Sequence, residues 1–176
     1  MTEVASAKHS ETAAVANLAA GEVGRADGGG EEAALRRTIE LLFFAYRDFT
    51  AEADVLLTCH GFGRAHHRVI YFVGRHPGAT VSELLGILKI TKQSLARVLG
   101  QLMREGLIVQ RADDGDRRRR RLFLTPEAVV LERQLTDRQM ALLDSAGSEA
   151  GPSAFAGFRA VLYAMINPED RQRFAR

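Results

Sequence analysis

The chain has 176 residues, of which 46% are hydrophobic and 26% charged, and its formal net charge is only +2. This is the composition of an ordinary globular protein, and its single cysteine excludes a disulfide framework and a cysteine-rich zinc site. No apolar run approaches the roughly 20 residues that span a bilayer, and no apolar block near the N-terminus suggests a signal peptide, so the expected location is the cytoplasm.

Residues 1–30 are rich in Ala, Gly, Ser and Glu and end in a run of glycines. Because few of them are large and apolar, a disordered N-terminal tail is predicted here, with the ordered fold beginning near Glu31. Neither Pro nor Gly interrupts the chain from Glu31 to about Thr58, which predicts one long helix.

The apolar residues of this helix recur at alternating steps of 4 and 3, which places them on one face. That stripe comprises Leu35, Ile39, Leu42, Tyr46, Phe49, Ala53 and Leu56. A second face is also apolar and contains Leu41, Phe43, Phe44, Val55 and Leu57. A helix that is apolar on two sides is usually buried on both, so the pattern favours packing against a second subunit. The alternative is a single long helix in the core of one chain.

Two shorter helices are predicted next. The first runs from about Arg64 to Arg75, between glycines on one side and a Pro-Gly pair on the other. The second begins after Thr80, because the side chains of Thr80 and Glu83 can each bond the other residue's free backbone N–H. Its predicted inward residues are Val81, Leu84, Leu85 and Leu88.

After a short turn, Thr91 is predicted to cap a helix that runs from Lys92 to Glu105. Gly106 follows at the position where a left-handed residue commonly ends a helix. The predicted buried residues are Leu95, Val98 or Leu99, Leu102 and Met103. This helix and the one before it together have the spacing of a helix-turn-helix.

A β-hairpin is predicted to follow, with strands at residues 107–111 and 121–124 around a turn at 113–116. Thr125 and Pro126 then start a helix that is predicted to end near Ser145, with a break at residues 146–152. A last helix is predicted from about Ser153 to Ile166. A hairpin directly after a helix-turn-helix makes it winged, so the predicted fold class is mainly α with a small β-hairpin wing.

Basic residues are concentrated in the middle of the chain. Residues 64–125 contain 13 basic and 5 acidic residues, a net charge of +8, so the rest of the chain carries −6. Such asymmetry is expected of a protein that binds a polyanion. The alternative is a solvated face whose charge is compensated elsewhere.

The second helix of a helix-turn-helix lies in the major groove of DNA, with its N-terminal residues facing the base edges. The residues predicted to form this exposed edge are Lys92, Gln93, Ser94, Arg97 and Gln101. Gln pairs with adenine and Arg with guanine, while Ser or Lys bonds a phosphate or a base. The alternative is a solvated amphipathic helix in a helical bundle.

Five consecutive arginines, Arg117 to Arg121, occupy the returning arm of the predicted hairpin. Like charges repel within a strand, whereas phosphate neutralisation or insertion into the minor groove gives such a run a purpose. Asp116 is spaced to hold the guanidinium of Arg118 by a paired hydrogen bond. For Arg120 and Arg121 the alternative is strand solubility or an ion pair to an acidic neighbour.

Several of these segments carry a resemblance to a known family. They are Val81–Leu84, Ile90–Leu99, Leu102, Gly106–Ile108, Asp116–Arg118 and Leu124–Glu127. From about Leu35 to Met165 the chain resembles the MarR family of winged helix-turn-helix transcriptional regulators, although Ala128 stands where the family usually has Gly. Residues 62–68 are similar to the PetP-like subgroup of proteobacterial regulators.

The resemblance implies a homodimer that binds double-stranded DNA. Residues 31–60 and 125–176 would form a helical dimerisation domain, and residues 61–124 the winged DNA-binding domain. The implied dimer-interface residues are Leu35, Ile39, Leu42, Phe155, Phe158 and Leu162. The implied DNA-binding residues are Thr91, Lys92, Gln93, Ser94, Arg97, Gln101, Asp116, Arg117, Arg118 and Arg119. Such proteins typically repress transcription at a pseudo-palindrome until an effector alters the spacing of the two lobes.

Three groups of residues are candidate sensors. The aromatic residues Phe43, Phe44, Tyr46, Phe49, Tyr71 and Phe72 could line an effector pocket, or could be plain core and dimer interface. Cys59 could sense oxidants, although a lone cysteine is more often a small buried hydrophobe. Cys59, His60, His66 and His67 include zinc-type or haem-type ligands, but adjacent pairs do not easily converge on one ion. Packing, capping or partner contact is therefore favoured for His66 and His67, and no metal or cofactor is predicted.

Two other classes of function are weaker. A protein-interaction module that keeps the winged fold without binding DNA would not need five arginines in its wing. An enzyme is not predicted, because the sequence has no suitably paired carboxylates, no glycine-rich phosphate loop and no Ser or Cys with a motif-supported base.

Overall fold

A computed structural model describes residues 28–113, 115–116 and 119–174. In chain order its elements are α1 (Gly28–Cys59), α2 (Arg64–Arg75), α3 (Val81–Leu88), α4 (Lys92–Arg104), β1 (Ile108–Ala112), β2 (Arg120–Leu124), α5 (Pro126–Ala150), α6 (Pro152–Met165), α7 (Pro168–Arg171) and a closing 3-10 turn (Gln172–Phe174). This confirms the predicted fold class, mainly α with one hairpin. Residues 1–27 of the predicted tail lie outside the described residues.

The chain forms two compact units. The central unit is Leu41–Met140, and the terminal unit comprises the described residues of Met1–Glu40 and Ala141–Arg176. Every buried side chain of the described residues lies in the central unit. The central unit therefore has a hydrophobic core, and the described part of the terminal unit has none.

The core of the central unit draws on each of its helices and on the hairpin. Its fully buried side chains include Leu57, Ile70, Leu84, Leu95, Leu102, Ile108, Leu122 and Leu135. On α1 the buried face is Thr50, Ala53 and Leu57, not the predicted continuation through Phe49 and Leu56, which are only half-buried. Ala53 is buried as predicted, but on either side of it the buried position is one residue later than predicted, because both neighbouring faces of α1 are apolar and periodicity alone does not rank them.

The two helices of the helix-turn-helix begin as predicted. The Thr80 hydroxyl accepts a hydrogen bond from the Glu83 backbone N–H at 3.2 Å, and the Glu83 carboxylate accepts one from the Thr80 backbone N–H at 2.7 Å. At the start of α4, the Thr91 hydroxyl accepts from the Ser94 backbone N–H at 3.2 Å. Lys89, in the left-handed region with φ 51°, makes the tight turn between α3 and α4. These contacts confirm both predicted caps.

The hairpin is antiparallel, with Ile108 opposite Leu124 and Ala112 opposite Arg120. A third segment joins its β2 side, where the Gly78 N–H donates to the Leu122 carbonyl at 2.8 Å and the Leu122 N–H donates to the Ala79 carbonyl at 2.9 Å. The hairpin is thereby tied to the residues that immediately precede α3. This pairing fixes the base of the wing against the helix-turn-helix.

In the terminal unit, α5 continues to Ala150, so the predicted helix end near Ser145 is wrong. Gly147 lies within the predicted break, but a Cβ at this position would lie 3.1 Å from the Phe155 ring, so the glycine permits close packing between α5 and α6. The break comes at Gly151, whose φ of 87° suits a glycine and whose N–H donates to the Gly147 carbonyl at 3.0 Å.

Candidate nucleic-acid interface

One face of α4 is exposed and polar at its N-terminal end. Thr91, Lys92, Gln93, Ser94 and Arg97 are all exposed. No hydrogen bond or ion pair joins the side chain of Lys92, Gln93 or Arg97 to another described residue, so these three side chains are available to a ligand. An exposed helix N-terminus also presents unpaired backbone N–H groups, which attract phosphate.

The opposite face of α4 is anchored in the core of the central unit. Leu95 and Leu102 are fully buried, and Val98 and Leu99 nearly so. Because apolar side chains recur at steps of three and four, they fix the rotation of the helix and turn the polar residues outward. The predicted inward and outward residues of α4 thus match the structure, with one exception.

Gln101 is that exception, because the structure does not present it as an exposed DNA-binding residue. Its Oε1 lies 2.9 Å from Nε2 of His66, and its Nε2 donates to the Gly61 carbonyl at 3.3 Å. Both polar ends of the amide are therefore engaged within the protein. The sequence pattern put Gln101 on the polar face correctly, but could not show that the loop before α2 lies against that part of the face.

The wing presents exposed arginines around its turn. Arg111, Arg119 and Arg120 are exposed, and Nε of Arg119 lies 3.6 Å from a carboxylate oxygen of Asp116. Arg117 and Arg118 lie outside the described residues, so the predicted pairing of Asp116 with Arg118 stays a prediction. The described residues of 108–124 nevertheless include four arginines against two aspartates, a net charge of +2, which favours contact with phosphate.

Arg121 is the member of the arginine run that is committed to the fold. Its guanidinium forms an ion pair with Asp113, and its Nη1 donates to the Gly78 carbonyl at 3.0 Å. A hydrogen bond from the Gly115 backbone N–H, together with Arg121, holds the pKa of Asp113 below its ordinary value. Of the two interpretations of Arg121, the ion pair to an acidic neighbour is the one that the structure shows.

We expect Arg121→Ala to loosen the wing, whereas Arg120→Ala should leave it intact. Backbone amides of β1 and β2 should exchange about threefold to fivefold faster in the first variant only, measured by hydrogen exchange at neutral pH. Because the folded pKa of Asp113 is lowered, the ion pair persists at neutral pH and is lost as the pH falls below the ordinary carboxyl value of about 3.9. Equal protection in both variants would contradict this assignment.

The predicted dimer-interface residues are mostly solvent-exposed in the single chain. Leu35, Ile39, Leu42, Phe158 and Leu162 are exposed, and Phe155 is half-buried and stacks on Phe158 with ring centroids 6.3 Å apart. In addition, Val161, Tyr163, Met165 and Phe174 of the terminal unit are exposed. A concentration of large apolar side chains at the surface marks an interaction site.

The residues predicted to line an effector pocket have differing environments. Phe43 is 71% exposed, Tyr46 accepts a hydrogen bond from Arg68 through its hydroxyl at 3.1 Å, and Phe72 packs against the hydrophobic core. Phe49 and Tyr71 are half-buried, with the Tyr71 ring edge-on to Phe72. Phe72 is thus at least partly core, and an effector pocket stays a prediction.

The candidate sensor residues are placed as follows. Cys59 is exposed in the last turn of α1, so the expectation of a buried cysteine is wrong: the helix buries Leu57 and turns Cys59 outward. His66 caps α2, because its Nδ1 accepts from the Gly63 backbone N–H at 3.1 Å. Burial lowers the pKa of His67 and favours its neutral form.

Among the described residues, no three His, Cys, Asp or Glu side chains are grouped to hold a metal. No described helix is long and apolar enough to span a membrane.

Two structural residues of this region were missed by sequence reasoning. Asp113 and Gly78 hold the wing in place, yet both were counted only as turn residues. The Asp-x-Gly spacing of Asp113 with Gly115 is a usable signal, because an aspartate often bonds the backbone N–H two residues later. No such signal marks the carbonyl of Gly78, since it accepts a hydrogen bond from Arg121, which lies 43 residues later in the chain.

The chain is similar to known transcriptional regulators. The sequence pattern of the MarR family matches residues 60–119, from just after α1 to the turn of the wing. Over 140 residues the chain is 49% identical to the HTH-type transcriptional regulator PetP of Rhodobacter capsulatus, and the alignment covers 80% of this chain and 84% of that protein.

Solved structures show the same fold. FabT of Streptococcus pneumoniae in complex with DNA matches with a TM-score of 0.67 at 20% identity, covering 74% of this chain and 94% of that one. The MepR–DNA complex of S. aureus matches with a TM-score of 0.59 at 20% identity, covering 72% and 93%. At these identities the likeness shows the winged helical architecture alone.

Proposed function

The chain belongs to the MarR family of transcriptional regulators, and we propose that it binds a specific pseudo-palindromic operator as a homodimer and represses transcription. One observation carries the proposal: the exposed N-terminal edge of α4 belongs to the same compact unit as a basic wing. FabT and MepR, which share the fold, have been solved in complexes with DNA, and this supports a DNA-binding role.

In the proposed complex, α4 enters the major groove. Gln93 and Arg97 then face base edges, where an amide pairs with adenine and a guanidinium with guanine. Lys92, with the exposed hydroxyls of Thr91 and Ser94, contacts phosphates near the helix N-terminus. The wing, through Arg119 and the adjacent Arg117 and Arg118, approaches the minor groove, where narrow A·T-rich segments attract arginine.

The proposed homodimer assigns a role to the exposed apolar residues of the terminal unit. Hydrophobic burial is the main stabilising contribution to folding, and α6 has no buried side chain, so the single chain holds this helix only weakly. A second copy of the chain offers the same apolar residues and covers them by two-fold symmetry. Two winged lobes then read two half-sites about one helical turn apart.

We also propose that a small-molecule effector modulates the affinity for DNA. Partly exposed aromatic side chains of the central unit, among them Tyr46 and Tyr71, support an apolar ligand with a polar group. Thermal shift with phenols and aromatic carboxylates, followed by DNA titration with any that bind, tests this proposal. Ligands that bind and leave the DNA affinity unchanged count against it.

A titration with two arginine variants tests the DNA-binding proposal. We expect Arg97→Ala to cost about 1–3 kcal/mol of binding to a duplex that the wild-type protein selects from random-sequence DNA. The matched control is Arg133→Ala, an exposed arginine of α5, which should change binding by less than about 0.5 kcal/mol.

Arg118→Ala, tested in the same way, should weaken binding by about 1–3 kcal/mol and lower the salt dependence, because a phosphate-directed charge is removed. Fluorescence anisotropy at several salt concentrations gives both quantities. Wild-type binding that is weak and indifferent to sequence and salt would reject DNA recognition and favour a protein-interaction module.

A further inference from the structure

The amide of Gln101 joins the C-terminal half of α4 to the loop between α1 and α2. Its Nε2 donates to the Gly61 carbonyl at 3.3 Å, and its Oε1 lies 2.9 Å from Nε2 of His66. Gly61 lies 40 residues and His66 35 residues earlier in the chain, so the contact connects elements that are remote in sequence. All of these residues belong to the central unit.

The proton arrangement of this contact is determined by its neighbours. Nδ1 of His66 accepts the Gly63 backbone N–H at 3.1 Å, so the neutral ring carries its proton on Nε2 and donates it to Oε1 of Gln101. The amide nitrogen is then free to donate to Gly61, as observed. Each of these three hydrogen bonds therefore joins a donor to an acceptor, and one tautomer of His66 is compatible with all three.

The histidine ring is also held from its side. Phe62 is buried and stacks on His66 with ring centroids 5.0 Å apart and an interplanar angle of 26°. Ring stacking and the cap bond leave His66 little freedom to turn. Gln101 therefore bonds to a rigid partner, which is what fixing the position of a helix requires.

The location of Gln101 on α4 gives this contact a functional meaning. Gln101 follows Arg97 by four residues, one helical turn, and so lies on the same polar face. Apolar packing of Leu95, Leu99 and Leu102 holds the other face, but such contacts are non-directional. Directional hydrogen bonds at Gln101 add a fixed point against sliding or rotation, and base recognition is sensitive to displacements of about 0.5 Å.

We propose that Gln101 and His66 are positioning residues for DNA recognition: their hydrogen bonds orient α4 against the α1–α2 loop and the first turn of α2, and Gln101 does not read a base. This inference rests on the proposed function, since it holds that Gln101 and His66 position the other α4 side chains that contact DNA. The same hydrogen bonds connect the loop after α1 and the first turn of α2 to the helix that carries Gln93 and Arg97.

Matched variants and two DNA probes test the inference. The probes are a duplex selected from random-sequence DNA by the wild-type protein and a scrambled duplex of equal length and composition. Gln101→Met keeps the side-chain length and removes both hydrogen bonds, while His66→Asn retains an acceptor for the Gly63 N–H and loses the reach to Gln101. Gln134→Met, on the exposed surface of α5, is the control.

We expect Gln101→Met and His66→Asn each to weaken binding to the selected duplex about tenfold, with binding to the scrambled duplex changed by less than about twofold. Because both variants break the same hydrogen bond, the double variant should be no weaker than the worse single one. Base-pair substitutions across the half-site should show discrimination reduced at every recognised position. Circular dichroism and thermal melts establish that each variant is folded.

Other outcomes of these measurements would contradict the inference. Discrimination lost at a single base pair in Gln101→Met, and retained in His66→Asn, would show a direct base contact and overturn the inference. So would additive effects in the double variant, or an unchanged ratio of selected to scrambled binding in folded variants. If the wild-type protein shows no sequence preference, the proposed function itself fails and the inference falls with it.

Discussion

Leu162→Glu is expected to convert the proposed dimer into monomers. Leu162 is 38% exposed on α6, beside Phe158 at 44%, in a terminal unit whose described residues include no buried side chain. A second subunit that covers this surface would bury the new carboxylate without a partner, which costs several kcal/mol for a charge. We expect the dimer to dissociate about a hundredfold more readily, and the operator affinity to fall in parallel because one lobe contacts only one half-site.

Light scattering coupled to size-exclusion chromatography at micromolar concentration measures this effect. Val109→Glu is the matched control, because Val109 is an apolar residue of β1 that is 36% exposed and lies in the predicted DNA-binding domain. The control should leave the molecular mass unchanged. A Leu162→Glu protein that keeps the mass of a dimer would show that the dimer forms through other residues.

Leu57→Ala is expected to have the largest effect on stability. The Leu57 side chain is 0% exposed and belongs to the core that α1 shares with α2, α4 and the hairpin. Removal of a buried leucine side chain loses its transfer free energy and leaves a cavity, for a total of about 2–5 kcal/mol. Val55 lies two residues earlier on the same helix and is 69% exposed, so Val55→Ala should cost less than about 0.5 kcal/mol.

Urea denaturation monitored by circular dichroism gives the free energies of unfolding of both variants. The comparison tests which residues off the predicted apolar stripe reach the core, because Val55 and Leu57 both lie off that stripe and the structure buries only Leu57. Similar losses at positions 55 and 57 would mean that this part of α1 is buried elsewhere than the structure places it.

Local signals made the helix-turn-helix predictable. Thr80 with Glu83, and Thr91 with Ser94, act over three residues, so their spacing in the sequence is their spacing in the structure. Gly106, with φ 71°, ends α4 where its position suggested. The apolar residues of α4 face the core for the same reason, since helical periodicity follows directly from the order of residues.

Contacts between distant segments were not predictable. Gln101 is a plausible reader of adenine by residue type, and only the path of the α1–α2 loop shows that its amide is already bonded. Arg121 looks like its four neighbours in the sequence, but Asp113 and the Gly78 carbonyl engage it. Gly147 has the composition of a helix end, whereas its role depends on where Phe155 packs. In each case a partner elsewhere in the fold decides the role.

Because the described part of the terminal unit has no hydrophobic core, the stability of this protein is expected to depend on its concentration. On the proposed dimer, the free energy of association is part of the free energy of folding, so the melting temperature rises with protein concentration by mass action. At low protein concentration a larger fraction of the chains is dissociated, and in those chains α6 and the first turns of α1 are expected to unfold more often. Proteases cleave such unfolded segments. For the proposed dimer, susceptibility to proteolysis is therefore expected to rise as the protein concentration falls.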